Sequence, residues 1–411
     1  MNIFKDGFRL WWQPPRRAGD RIEHRQVTFL ELFYDLVYVA LIAELSHALS
    51  THIGWTGLGR FAFLFIIVWW AWLNGSLYHD IHGNHDIRTR VLTFLQMFTV
   101  VAMAVFAHDA LGESSTGFAL SSAAFQLLLS YMWWRTGVYD VDHRPLTRPY
   151  VSSYLLAMLL FVGSVFVAAP VRFYLWGGAL LVSLLAPLYL RLRRVTSEVQ
   201  AQIDLSMNIS SSLVERFGLL TIIVLGEVII GIVSGVNEHQ NLTWQVGVTA
   251  ALGMLISIGL WWIYFDLIPH HRPRQKTNMI FLWLYLHLFL TISITAVGAS
   301  ILNVVKHTGE ALSGEVRWLL LGSTAMTLLS TALLTRTTQI LPEHQRVHEI
   351  GRSGLFVSAF FIVMLGFLPL SVIPLLIVIV LLLLLPIFIA LRVWIEAAVT
   401  NKAENEKIAA E

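Results

Sequence analysis

Apolar stretches of about 18 residues or more, each long enough as helix to cross a hydrocarbon layer of about 30 Å, recur along almost the whole chain. Inside lipid a helix satisfies its own backbone N–H and C=O groups, so repeated runs of this length leave few folds open. They predict spans near 27–49, 57–78, 91–110, 117–135, 151–168, 172–190, 212–234, 244–267, 279–304, 315–335, 353–369 and 372–395. Across its 411 residues the chain is 56% hydrophobic and 13% charged, too apolar for an ordinary soluble domain. The expected fold class is therefore all-α, a polytopic membrane protein with about twelve transmembrane helices and the lipid bilayer as its surroundings.

Several function classes drop out. The absence of cysteine removes disulfides, thiolate metal ligands and a cysteine nucleophile. No Walker loop, dinucleotide fingerprint, nucleophile elbow or HExxH occurs, so neither enzymatic activity nor a cofactor is expected. A net charge of +2, with basic residues beside the predicted membrane ends, does not suit nucleic-acid binding.

Lys and Arg outside the spans concentrate in the N-terminal segment, the even-numbered loops and the C-terminal tail, whereas the odd side holds only Arg60, Arg172, Lys306 and Arg317. The positive-inside rule then places both termini in the cytoplasm. Residues 1–26 lack a continuous apolar core for signal cleavage and read as a retained cytoplasmic segment whose Lys5, Arg9, Arg16, Arg17, Arg21 and Arg25 make a polybasic contact with the membrane surface. The expected organisation is 1–26, a first six-helix repeat over 27–195, a linker at 196–211, a second repeat over 212–397 and a tail at 398–411. Glu31, Phe33 and Leu36 correspond to Glu215, Phe217 and Leu220 at an offset of 184, and Trp70, Trp72 and Asn74 to Trp262, Tyr264 and Asp266 at 192. Gln96 and Phe98 correspond to His287 and Phe289, and Pro170 and Pro187 to Pro369 and Pro386. Six spans per copy give the two copies the same orientation, a symmetry that some transporters use.

The polar residues inside these spans carry the functional question, because an ionised carboxylate at mid-bilayer costs at least about 2.5–3.5 kcal/mol. In "ELFYDLVYVALIAELSHAL" the first helix carries Glu31, Asp35, Glu44 and His47. Glu31 and Asp35 fall about 40° apart on one face, and Glu44 and His47 about 60° apart on nearly the opposite face. A helix polar on two sides is expected to be enclosed by other helices. In "LVERFGLLTIIVLGEVIIG" of the seventh helix, Glu215 and Arg216 lie near the cytoplasmic entry, with Glu227 about 18 Å further along by helical rise. Gly226 is expected to admit a neighbouring backbone. Glu44, His47, Glu227 and His287 form the candidate proton or cation site. Glu31, Asp35, Glu215, Arg216 and Arg90 form a cytoplasmic charge cluster, read either as a gate or as ionic staples between helices. Asn74, Asp266, Trp70 and Trp262 are secondary polar and aromatic candidates.

Other patterns have simpler explanations. Glu44-x-x-His47 has the spacing of di-iron bundles, but the seventh helix offers only Glu227-Val-Ile-Ile in return. "YHDIHGNHD", with His79, His82 and His85, reads as a solvated turn and not a metal site, and no metal is assigned. Arg90 is expected to snorkel. Trp69, Trp70, Trp72, Trp261 and Trp262 suit an interfacial aromatic belt, and His344 and His348 an interfacial helix.

Together, "ELFYDLVYVALIAELSHAL", "HDIRTRVLTFLQM" and "LVERFGLLTIIVLGE" resemble the bacterial low temperature requirement A family over about residues 27–395. The resemblance implies a multi-pass protein of the bacterial inner membrane, with motif positions Glu31, Phe33, Asp35, Glu215, Arg216, Phe217, Gly218, Gly226 and Glu227. The His-rich loop departs from the family pattern. The leading functional expectation is a transporter coupled to protons or monovalent cations. A two-repeat cation channel is the nearest alternative, since Phe33-Tyr34-Asp35 matches an F-x-D motif of such channels while Phe217-Gly218-Leu219 lacks the acid. A non-transporting scaffold or sensor needed for growth in the cold is the third.

Overall fold

A computed structural model describes residues 11, 13–17, 20, 25–84, 86–192, 209–268, 272–340 and 345–410, with side chains omitted for 186–192, 393–394 and 396–410. Among them are twelve α-helices and no strand. They are α1 (Phe29–Thr51), α2 (Trp55–His82), α3 (Ile87–Ala107), α4 (Ser115–Tyr139), α5 (Arg144–Ser164), α6 (Val171–Leu192), α7 (Ser211–Asn237), α8 (Trp244–Leu267), α9 (Thr277–Lys306), α10 (Gly314–Thr337), α11 (Gln345–Met364) and α12 (Val372–Ala410). Nine are long and apolar enough to cross a membrane; the others are α1, α4 and α6, the last with an apolar described part of only Val171–Leu185. α1 falls short because it carries three carboxylates, the feature that makes it informative.

Three helix starts carry side-chain caps. Asp86 accepts from the Thr89 N–H (3.3 Å) at α3, Thr243 from Val246 (3.4 Å) at α8 and Ser313 from Val316 (3.3 Å) at α10. Inside the helices, Ser and Thr hydroxyls return to carbonyls one turn back, as Thr291 does to His287 (2.8 Å) and Thr324 to Leu320 (2.7 Å), so these side chains need no water.

The chain divides into two compact units, one of residues 1–48 and 59–219, the other of 49–58 and 220–411. In the first, α3, α4, α5 and α6 pack as sequential neighbours. Tyr154 on α5 donates to Asn74 Oδ1 on α2 (2.5 Å), and Asn74 Nδ2 donates to the Trp70 carbonyl (2.8 Å). Asn74 is thus a buried clamp between helices. In the second, α9 to α12 pack in order, with α8 against α12. α7 and α9 approach so closely that a Cβ on Gly298 would lie 2.9 Å from the Glu227 carbonyl, and one on Gly231 2.5 Å from that of Gly298. Close approach therefore belongs to Gly231 and Gly298. Gly226, expected to supply it, has open space where a Cβ would stand, because it lies off the crossing face.

The odd-side cations have structural work. Arg172 Nε donates to the Ser164 carbonyl (3.1 Å), and Arg317 to those of Leu368 (2.5 Å) and Leu370 (2.6 Å), each satisfying carbonyls at the end of a proline-marked hairpin. Lys306 pairs with Glu238 at 3.4 Å.

Candidate functional site

α1 opens with a reciprocal cap. Glu31 Oε2 accepts from the Thr28 N–H (3.0 Å) and hydroxyl (2.9 Å), while the Glu31 N–H donates to Thr28 Oγ1 (3.3 Å). Its other oxygen accepts from Arg25 NH2 at 2.7 Å. Arg25 NH1 reaches Asp80 Oδ1 at 3.2 Å and Ser212 Oγ at 2.9 Å, and the Ser210 hydroxyl also donates to Asp80. Arg16 donates to the backbone carbonyls of Asp80 and Ile81. Arg16 and Arg25, expected at the membrane surface, are thus drawn in by carbonyls and carboxylates that would otherwise lack donors.

One turn further along α1, Asp35 is saturated. Arg216 holds it side-on, Nε to Oδ2 at 3.0 Å and NH2 to Oδ1 at 2.5 Å, and Trp72 Nε1 donates to Oδ1 at 2.8 Å. The Arg216 side chain is 0% exposed. Its guanidinium lies 5.5 Å from the Tyr34 ring centre and 6.0 Å from that of Trp72, and Phe217 meets Trp72 edge-on at 4.9 Å. The remaining nitrogen, NH1, stands 4.0 Å from Glu31 Oε1. Two guanidinium groups, those of Arg25 and Arg216, thus face the carboxylates of Glu31, Asp35 and Asp80, and Arg16 adds its positive charge through the Asp80 and Ile81 carbonyls, so the buried ions are largely compensated. Beside them opens a cleft of about 770 Å³ lined by Glu31, Arg25, His79 and Arg90. Arg90 is exposed on its rim. Glu215 is also exposed, turned away from Arg216 on α7, and makes no ion pair among the described residues. It does not join the cluster as expected, because adjacent helical positions point about 100° apart.

The second pair on α1 differs. Phe29, Phe33, Leu36, Ala40 and His47 form an exposed stripe, so α1 is not enclosed as expected. Glu44 reaches His108, just past α3, at 3.7 Å, with side chains 45% and 61% exposed respectively. The His47 and His108 rings stack at 5.9 Å. Glu44 lies only about 10 Å from the end of α1 by helical rise, so its partner is a helix-end histidine outside the predicted mid-span.

In the second unit Glu227 is 3% exposed, with its backbone against Gly298. His287 Nδ1 donates to the Trp283 carbonyl (2.8 Å), leaving Nε2 to accept from the Tyr264 hydroxyl (3.1 Å). Asp266 is exposed and accepts from Trp262 at 2.7 Å, unlike the buried Asn74 it was aligned with.

The His-rich turn is not solvated as expected: His79, Asp80, His82 and Asp86 are buried, and α2 runs through His82. His79 Nε2 meets Gln96 Oε1 at 3.2 Å, and His82 Nδ1 donates to the Arg16 carbonyl at 2.9 Å. No three His, Asp or Glu converge to hold a metal among the described residues. Trp69, Trp70 and Trp72 are core residues, because helices surround that end of α2, whereas Trp261 and Trp262 are exposed as a belt requires. His348 is buried in α11 and not interfacial; His85 and His344 lie outside the described residues.

A family model described as bacterial low temperature requirement A protein matches residues 26–393. The chain belongs to the low temperature requirement A family. Of the positions expected to carry that family's motifs, Glu31, Asp35, Arg216, Phe217 and Glu227 are buried, while Phe33 and Glu215 face outward. The chain is also similar to a Rhizobium meliloti (strain 1021) protein described as uncharacterized, 27% identical over 297 residues, 68% of this chain and 70% of that one. Sequence reading missed Arg25, Asp80, Trp72 and His108 as partners. The Thr28-x-x-Glu31 capping box was a visible signal that Glu31 is held locally.

Proposed function

We propose that this low temperature requirement A family membrane protein is a transporter coupled to protons or monovalent cations. The observation that carries this reading is the Glu44–His108 pair, a carboxylate and an imidazole 3.7 Å apart and both partly exposed, on a helix whose other end is fixed by Arg216 and Asp35. A pair of this kind is within reach of water and can take up or release an ion with modest rearrangement, whereas Asp35, buried among three donors, is closed off. In this reading Glu44, with His47 and His108, exchanges the proton or cation at one membrane face. Glu227 is the acid of the second unit that binds it, His287 tunes the polar surroundings there, and the Arg216–Asp35–Glu31–Arg25 network is the cytoplasmic lock. The basic loops support an inner-membrane protein with cytoplasmic termini, and the aligned tryptophan and proline landmarks support two parallel six-helix repeats.

The test is flux of protons and monovalent cations in proteoliposomes at several pH values. Glu44→Gln and Glu227→Gln are expected to keep the fold and lose flux. Undiminished flux in both variants, or no flux under any gradient for the unaltered chain, would overturn the reading. The balanced charge network around Arg216 favours the scaffold as second reading, under which both variants retain every cellular phenotype.

A further inference from the structure

A cleft of about 1030 Å³ in the first unit lies between the cytoplasm-assigned ends of α4 and α5 and the side of α6, away from the charge network. We propose that it binds one anionic phospholipid, the headgroup phosphate on Arg144 and Arg148 and an acyl chain along the wall below.

Arg144 and Arg148 lie four residues apart at the start of α5, on one helix face, where like charges repel unless an anion is shared. Arg144 Nε is used by the Gly137 carbonyl (2.9 Å), which fixes the side chain across the end of α4 and leaves both terminal nitrogens. Arg148 is exposed, and neither guanidinium makes an ion pair among the described residues. The acids of the same turn are otherwise disposed: Asp140 Oδ1 accepts from the His143 N–H (3.3 Å), and Asp142 is exposed without an ion pair among the described residues. Pro145 and Pro149 remove two N–H groups from the start of α5, so an anion there depends on the arginines.

Below the arginines the cleft wall is apolar, built by Trp134, Val138, Leu155, Leu156 and Leu185, all substantially exposed. Arg148 to Leu156 spans about 12 Å of helical rise. Charge first and hydrocarbon next is the order in which a phospholipid presents itself. The cleft beside the charge network has Glu31 in its wall, and its Arg25 is committed to two carboxylates, so it offers an anion no comparable pair of cations. A basic groove between transmembrane helices on the side rich in anionic lipid is a recognised lipid-binding arrangement.

The test uses the full chain in detergent, with native mass spectrometry after adding phosphatidylglycerol or phosphatidylethanolamine of matched chains. Retention of phosphatidylglycerol at least fivefold above phosphatidylethanolamine is expected. Arg148→Gln, which removes no intramolecular bond described, should reduce that preference at least threefold without changing the thermal midpoint. Val182→Trp, which fills the groove without altering charge, should lower phosphatidylglycerol binding. Equal retention of the two lipids, an unchanged preference in Arg148→Gln, or full displacement by millimolar inorganic phosphate, which marks a soluble-anion site, would each overturn the proposal.

Discussion

Asp35 and Glu44 are nine residues apart on one helix and solve the same electrostatic problem in opposite ways. Asp35 is buried and receives three donors from Arg216 and Trp72. Glu44 is partly exposed and, among the described residues, has one ion-pair partner, an exposed histidine at 3.7 Å. Taking a carboxylate out of water is tolerable only when its lone pairs are filled by well-placed donors. Asp35 meets that condition, and Glu44 avoids it by staying near a helix end. The contrast places the fixed charges at one end of α1 and, in the proposed reading, ion exchange at the other.

The contrast is broken most severely by stranding a buried charge. Asp35→Ala leaves Arg216, at 0% exposure, with only the Glu31 carboxylate 4.0 Å away, so a loss of about 3–5 kcal/mol is expected in detergent unfolding, seen also as low membrane abundance. Replacing Asp35 and Arg216 together by Leu and Met is expected to recover much of that loss, because neither member of the pair is then left buried without the other. If the double variant is no better than Asp35→Ala, the pair is not the coupled unit described.

Glu31→Ala removes both the helix cap and the carboxylate facing Arg25, with an expected cost of about 1–2 kcal/mol in the same assay. Trp72→Phe keeps the packing against Phe217 and deletes one donor to Asp35, for about 1 kcal/mol. A Trp72→Phe effect as large as that of Asp35→Ala would show that packing, not hydrogen bonding, secures this end. Glu44→Gln is expected to shift stability by less than about 1 kcal/mol, as for other exposed ion pairs, while abolishing flux. A large loss of stability with flux retained would reverse the assignment of the two ends.

Much of the fold was legible, because helix number follows from apolar run length and is insensitive to partner choice. Burial of Asp35 and Arg216 was legible for a related reason: an intramembrane charge must find its opposite. The exposed face of α1 was not, since helical periodicity gives the angle between Asp35 and Glu44 but not which neighbours cover it. The His-rich turn misled because Gly83 among six His, Asp and Asn residues resembles a solvated loop, yet Arg16 and Gln96 supply the bonds that let His82 and His79 be buried. Gly226 misled because every glycine in a span permits close approach, and only packing shows that Gly298 and Gly231 provide it.

The most direct test of the contrast along α1 is carboxylate labelling in native membrane vesicles with dicyclohexylcarbodiimide, read by peptide mass spectrometry. Glu44 is expected to be modified and Asp35 to remain unmodified, with Asp35 becoming reactive in Arg216→Gln. Modification of Asp35 in the unaltered protein, or equal protection of both acids, would contradict the account.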